Sequence, residues 1–298
     1  MTLGVTICDV TDHNRVVSED QSRAWVETAQ RARLSGFMLD AVLDPAAASP
    51  LAADDQLFNW EKCSAWTLGY LKAASEHLAV WADLIVPLDV KDGDKAEIRT
   101  RPCFALGRSA LESAAQAVWV LTPNRSEERV SRHLGLVSND LRQMSLGLKA
   151  DGNTEGYVVT QERLSLMEER LPAELDFSKI KSFNLKFIDL VRNSAAKIGA
   201  DQDDLEAIWR FASAGTHGKS WFLVATSSFE VGEEYEPGHF RAWANPDAAE
   251  LTRIMDAATK MTQYGVDRFI VMAGLDLNAI GTNALKRLWS ITPKKPGA

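Results

Sequence analysis

The sequence predicts an all-α fold, a multi-helix bundle. Apolar residues recur at three- and four-residue spacing over long stretches, prolines and polar turns separate those stretches, and period-two alternation is nearly absent. Residues 1–18 are the exception. Val5, Ile7, Val10, Val16 and Val17 are β-branched and irregularly spaced, so a short strand or an extended arm is expected. Ser18 then precedes an acidic pair, and Trp25, Ala29, Ala32, Phe37 and Ala41 follow at helical spacing until Pro45 and Pro50 end the pattern. A second helix is expected over 54–86, with Leu57, Trp60, Leu68, Leu71, Leu78, Trp81 and Ile85 as its stripe and Pro87 as its stop. The polar turn DVKDGDKAE after it resembles half of a calcium loop, without the later ligands or the closing Glu.

The third helix, roughly 98–121, is the most apolar, and small residues cover most of its surface. That composition suits the middle of a bundle with closely packed neighbours. It ends at Thr122-Pro123, and Ser126 is expected to cap a fourth helix, with Arg129 three residues on. DGNTEG is a loop, and further helices are expected near 158–170 and 181–198. Asp201 is placed to cap the next helix, whose first turn is acidic and so complements the helix dipole. SWFLVATSSFEV fits either helix or strand, and GEEYEPGHFRAWANP reads as a loop. Pro246 is expected at the first position of the last long helix, striped by Leu251, Ile254, Met255, Ala258, Met261, Val266, Phe269 and Ile270. A short helix over about 279–291 and a frayed TPKKPGA tail complete the reading.

A chain of 298 residues, 46% hydrophobic and 25% charged, can bury a core without disulfide or metal. The expected organisation is a bundle core over 98–298 with an N-terminal arm and helical part over 1–97 packed on it, or one continuous domain. A net charge of -8 argues against coating nucleic acid through broad electrostatics and leaves room for a small basic cleft. The three cysteines are odd in number and form no CxxC, so no disulfide framework, zinc site or other cofactor is expected, and a reducing cytoplasm is the natural compartment. The first residues lack the basic start and apolar core of a secretory signal, and the most apolar run, FIVMAGL at 269–275, is too short to span a bilayer. Dinucleotide, P-loop, nucleophile-elbow and HExxH motifs are all absent.

What remains is IWRFASAGTHGKSW. Seven helical residues turn through about 700°, so Arg210 and His217 should leave one face about 10 Å apart along the axis. Ser213 and the small residues around it let a helix or ligand approach, and His217 falls at the helix end that favours positive charge. A structural role stays open beside the functional one: His217 capping the last carbonyls with Gly218 just beyond, and Arg210 paired with a carboxylate. Arg108 and Glu112, four apart on the apolar third helix, should face a partner, with Arg210 or His217 as a candidate for Glu112; a buried structural salt bridge is the competing reading. Trp119, Trp209 and Trp221 lie beside these residues, in a position for core packing or for stacking on a base.

RSALESAAQAVWVLTPNRSEERVSRHL, followed downstream by IWRFASAGTHGKSWF, resembles a group of uncharacterised all-helical proteins of actinobacteria and their phages. Its Arg-x6-His segment in turn looks like the motif of the HEPN superfamily, all-α bundles that include metal-independent toxin and defence ribonucleases. The resemblance covers about 100–220 and departs at Phe211, where active HEPN ribonucleases carry a polar residue. It implies His217 as general base or acid on a ribose 2′-OH, Arg210 stabilising the phosphorane, and Glu112 orienting one of them, with Arg108, Ser213 and Trp221 as binding residues. It also implies RNA as substrate and a homodimer with the site across the interface. The alternatives are a non-catalytic helical binding or scaffold protein with a protein partner, and a bundle that encloses a small molecule.

Overall fold

The computed structural model describes residues 4–8, 18–42, 44–88 and 99–292. In chain order the elements are β1 (Gly4–Cys8), α1 (Glu19–Asp40), α2 (Pro50–Leu57), α3 (Cys63–Ile85), α4 (Thr100–Leu121), α5 (Ser126–Ala150), α6 (Thr154–Glu169), α7 (Phe177–Ser182), α8 (Phe187–Ser194) and a 3-10 turn (Ala195–Ile198). There follow α9 (Gln202–Thr216), α10 (Ser220–Thr226), β2 (Ser227–Glu236), β3 (His239–Pro246), α11 (Ala248–Met272) and α12 (Leu277–Ile291). Among the described residues the architecture is helical apart from one small sheet, as the periodicity predicted. The calcium-loop-like turn and the C-terminal tail beyond Thr292 lie outside the described residues.

Helix α4 is the axis of the bundle. Ala110, Ala114, Ala115 and Ala117 are all sealed from solvent, and α1, α3, α9 and α11 contribute to the same buried cluster. Small side chains are what let so many helices reach one helix. At Gly107 a β-carbon would lie 2.7 Å from Ile254 and 2.8 Å from the Met255 sulfur, so glycine sets the α4–α11 approach. Gly265 does the same between α11 and α3, where Leu71 would be 2.6 Å from a β-carbon. The larger cluster draws on residues from both sides of position 98, from Trp25 to Ala284. A second, smaller cluster joins α5, α6 and α7 with Phe58.

Several expectations are corrected. The helix expected over 54–86 is broken at 58–62 into α2 and α3. Phe58 leaves the helix (φ −141°, ψ 88°) to enter the second cluster, and Asp55 caps α3 from outside, accepting from the Ser64 amide at 2.9 Å and its hydroxyl at 2.5 Å. The expected loop before α11 is an antiparallel hairpin of β2 and β3, onto which β1 adds in parallel, giving the order β1-β3-β2. SWFLVATSSFEV is both helix and strand, dividing between Thr226 and Ser227. Four glutamates give the exposed strand β2 the composition of a loop, and they also protect its free edge from pairing. Pro246 ends β3 and Asp247 caps α11, accepting from the Ala249 amide at 2.8 Å.

Ser126 is the first residue of α5 rather than its cap, because its hydroxyl is spent on Asp54. Asp54 is sealed and takes a two-point contact from Arg129, at 2.7 and 2.8 Å. Arg129 gives its remaining terminal nitrogen to the Pro123 and Asn124 carbonyls, at 3.0 and 2.9 Å. Nearby, the sealed His133 donates from Nε2 to the Glu61 carbonyl at 2.8 Å, and its Nδ1 has no partner. The Glu61 carboxylate holds Arg163 (2.6 Å) and the Trp66 indole (2.9 Å). These two knots pin α2 and α3 to α5 and α6.

Candidate functional site

The site is assembled where the end of α9 meets one face of α4. Asp201 starts α9 by accepting from the Asp203 and Asp204 amides, at 2.9 and 3.1 Å. The helix stops at His217 with Gly218 in the left-handed region at φ +67°, a conformation only glycine adopts without strain. The Lys219 amide bonds the Ala214 carbonyl at 2.9 Å, and the Gly218 amide bonds that of Gly215 at 3.2 Å, which is a complete Schellman ending. Ser213 is half-buried and contributes its carbonyl, which accepts from the His217 amide at 3.0 Å.

The small residues before His217 serve packing. Helix α10 folds back across α9, and its sealed Phe222 lies 2.9 Å from where a Gly215 β-carbon would stand. Phe211 meets Trp221 edge-on at 5.9 Å between ring centres. Trp221 is 47% exposed, so its outer part presents an aromatic surface beside the site.

The structure brings Glu112, Arg108, Trp209 and His217 together and leaves Arg210 apart. On α4, Arg108 donates from Nε to Glu112 Oε1 at 2.8 Å, with the side chains 17% and 14% exposed. Trp209 on α9 donates its indole N–H to the same oxygen at 2.8 Å, and the Arg108 guanidinium lies 5.4 Å from the Trp209 ring centre. The outer guanidinium nitrogen of Arg108 is 2.9 Å from His217 Nε2. A guanidinium only donates, so Nε2 accepts and the ring proton sits on Nδ1. His217 itself is solvent-exposed. Neither Arg210 nor His217 meets Glu112: its partners are Arg108 and Trp209, which is the salt-bridge alternative, and His217 touches only the Arg108 end of that pair.

Arg210 turns to its own helix. It donates to Glu206 at 2.7 Å and is 59% exposed. Glu206 also holds Arg192, and the hydrogen bonds from these two guanidiniums keep its carboxyl below the usual range. The i,i+7 arithmetic put Arg210 on the face of His217 about 10 Å away along the axis, and its guanidinium is taken by the i−4 carboxylate of its own helix.

Two contributors were not singled out from sequence. Trp209 was grouped with the packing tryptophans, yet its N–H completes the Glu112 site. Arg101 lies one heptad before Arg108, hence on the same face of α4. Its guanidinium sits 5.6 Å over the Phe222 ring and 3.8 Å from where a Gly218 β-carbon would stand. With exposed Lys219 next to Gly218, the end of α9 gathers Arg101, Arg108 and Lys219 around His217, and Glu112 is the one carboxylate paired with them among the described residues. The arrangement offers donors for an anion and one imidazole open to solvent. Among the described residues no group of three His, Cys, Asp or Glu is arranged to hold a metal ion, and no helix is long and apolar enough to cross a membrane. Comparison of the chain with protein-family models, curated proteins and solved structures finds no match.

Proposed function

We propose that this chain is a HEPN-like helical-bundle protein that acts on RNA as a metal-independent endoribonuclease of toxin or phage-defence type, with His217 as proton acceptor and Arg108 as phosphate ligand. The observation that carries the reading is the exposed His217 imidazole held 2.9 Å from a guanidinium that is itself anchored on Glu112. In this reading an incoming phosphate draws Arg108 from the imidazole to its own oxygens. That frees the Nε2 lone pair to take the 2′-OH proton. The 2′-oxygen then attacks phosphorus, Arg108 and Arg101 balance the charge on the phosphorane, and the imidazolium returns its proton to the departing 5′-oxygen. Glu112 and Trp209 keep the guanidinium from swinging away. An open surface rimmed by cations suits a polymer backbone, and Trp221 beside it suits an unstacked base. A homodimer in the cytoplasm belongs to the same reading, and sedimentation at several concentrations tests it.

A second reading is favoured by Arg210 and Phe211. The first is held by Glu206, the second packs on Trp221, and the guanidinium bonded to His217 comes from Arg108 instead. That suits a non-catalytic binding module, which would hold RNA or a protein partner without cutting. The deciding experiment incubates single-stranded RNA with wild type, His217→Ala and Arg108→Ala in chelator. Loss of a general base should slow cleavage about 10²–10⁴-fold. Cleavage that is equal in His217→Ala, or absent from folded wild type, sinks the nuclease reading; retained RNA binding without cleavage supports the second.

A further inference from the structure

A cavity of about 480 Å³ opens between α5, α6 and α7, separate from the His217 site. Sealed Met167 and half-buried Leu164 form its apolar side, with Tyr157 and Phe177 among its walls. Three cations line it: Arg142 and Lys149 from α5 and Lys181 from α7. Arg142 is locked in place, donating to the Lys181 carbonyl at 2.6 Å and the Phe183 carbonyl at 2.5 Å. The Lys181 ammonium lies 5.6 Å over the Phe177 ring. Among the described residues no carboxylate pairs with any of the three, and Glu168 is the one acidic residue in the lining. On a chain of net charge -8, three cations against one carboxylate at one opening form a local positive field that attracts an anion.

The rest of the lining narrows the class of anion. Aromatic rings flank the cavity, and apart from the three cations and Glu168 its polar residues are uncharged: Gln161 donates to Ser145 at 2.8 Å, which spends its own proton on the Leu141 carbonyl at 2.9 Å. A long acyl chain needs a continuous apolar channel, which Ser138, Ser145 and Gln161 interrupt. A flat, heteroatom-bearing ring fits better against Tyr157 and Phe177, and the volume lies within the ~300–1,000 Å³ range of small-molecule sites. We propose that this cavity binds a mononucleotide, its phosphate on Arg142, Lys149 and Lys181 and its base among Tyr157, Phe177 and Gln161. None of these residues belongs to the His217 cluster.

The test is calorimetric titration of the full chain with AMP, UMP, adenosine and inorganic phosphate. Lys149→Glu and Lys181→Glu are the variants of choice, since both lysines are exposed and neither holds a carboxylate, whereas Arg142 also ties two carbonyls. At least one mononucleotide should bind, with adenosine and phosphate each at least tenfold weaker. Each charge reversal should weaken nucleotide binding about tenfold or more, while His217→Ala binds as wild type, which separates this proposal from the nuclease reading. No binding of either nucleotide at about 1 mM, affinities unmoved by both reversals, or phosphate binding as tightly as the nucleotides would each overturn it.

Discussion

Replacing Arg129 by Met tests the polar knot between α2 and α5. The substitution keeps most of the side-chain length and removes four donated hydrogen bonds, two to Asp54 and two to the Pro123 and Asn124 carbonyls. It strands a fully sealed carboxylate, left with only the Ser126 hydroxyl, and the two carbonyls lose their partner. Breaking a buried ion pair from one side costs about 3–5 kcal/mol, and the stranded carbonyls put this case near the upper end. At about 2 °C per kcal/mol for a chain of this size, the melting temperature should fall by roughly 8–10 °C. Asp54→Leu should cost a similar amount by leaving the guanidinium unpaired. The double variant, Asp54→Leu with Arg129→Met, should recover at least about 2 kcal/mol of the summed loss, because no buried charge remains. Scanning calorimetry on the four proteins reads the cycle. Two single variants that each lose less than about 1 kcal/mol and simply add would refute the reasoning, because they would mean that the pair is solvated.

Three further outcomes follow from particular contacts. Burial lowers the His133 pKa from 6.5 to about 4 against the pull of its Glu61 carbonyl bond, so the unfolded chain binds its proton first. Stability from this group is therefore present above pH 6.5 and is lost as pH falls, by about 2 kcal/mol between pH 7 and pH 5; His133→Gln should flatten that part of the profile, and an unchanged profile would count against a buried neutral ring. Gly107→Ala drives a methyl into Ile254 and Met255 and should cost about 1–3 kcal/mol in thermal unfolding, whereas Gly69→Ala, which meets nothing within 4 Å, should not destabilise. Nitrogen NMR of the His217 ring should show the proton on Nδ1 at neutral pH in wild type and a mixture of tautomers in Arg108→Met; a mixture already in wild type would deny the Arg108 contact.

The comparison of sequence with structure is uneven along the chain for physical reasons. Helix α4 was legible because burial of most of its surface selects the small and apolar residues that recur along it, and no tertiary information is needed to see that. The end of α9 was legible too, since a Gly after a polar residue states the left-handed turn it makes. The break at 58–62 was not, because Leu57 and Trp60 continue a helical stripe in sequence, and Phe58 leaves the helix only to fill a cluster built by α5, α6 and α7. Nor was the β2–β3 hairpin, whose glutamate-rich outer strand has no buried face to impose alternation.

At the candidate site the sequence by itself determined which groups exist: one His at a helix end, an Arg and a Glu four apart on an apolar helix, and a second Arg a heptad earlier. Only the tertiary structure decided how they pair. Helical spacing relates residues on one helix, so it could associate Arg210 with His217 and Arg108 with Glu112. The contact between Arg108 and His217 joins residues 109 positions apart and depends on α10 folding back, on Gly215 admitting Phe222, and on the angle at which α9 meets α4. Those are packing outcomes set by volumes and shapes from several helices at once. Local pattern carries no information about them, and that is why Arg108, rather than Arg210, stands beside His217.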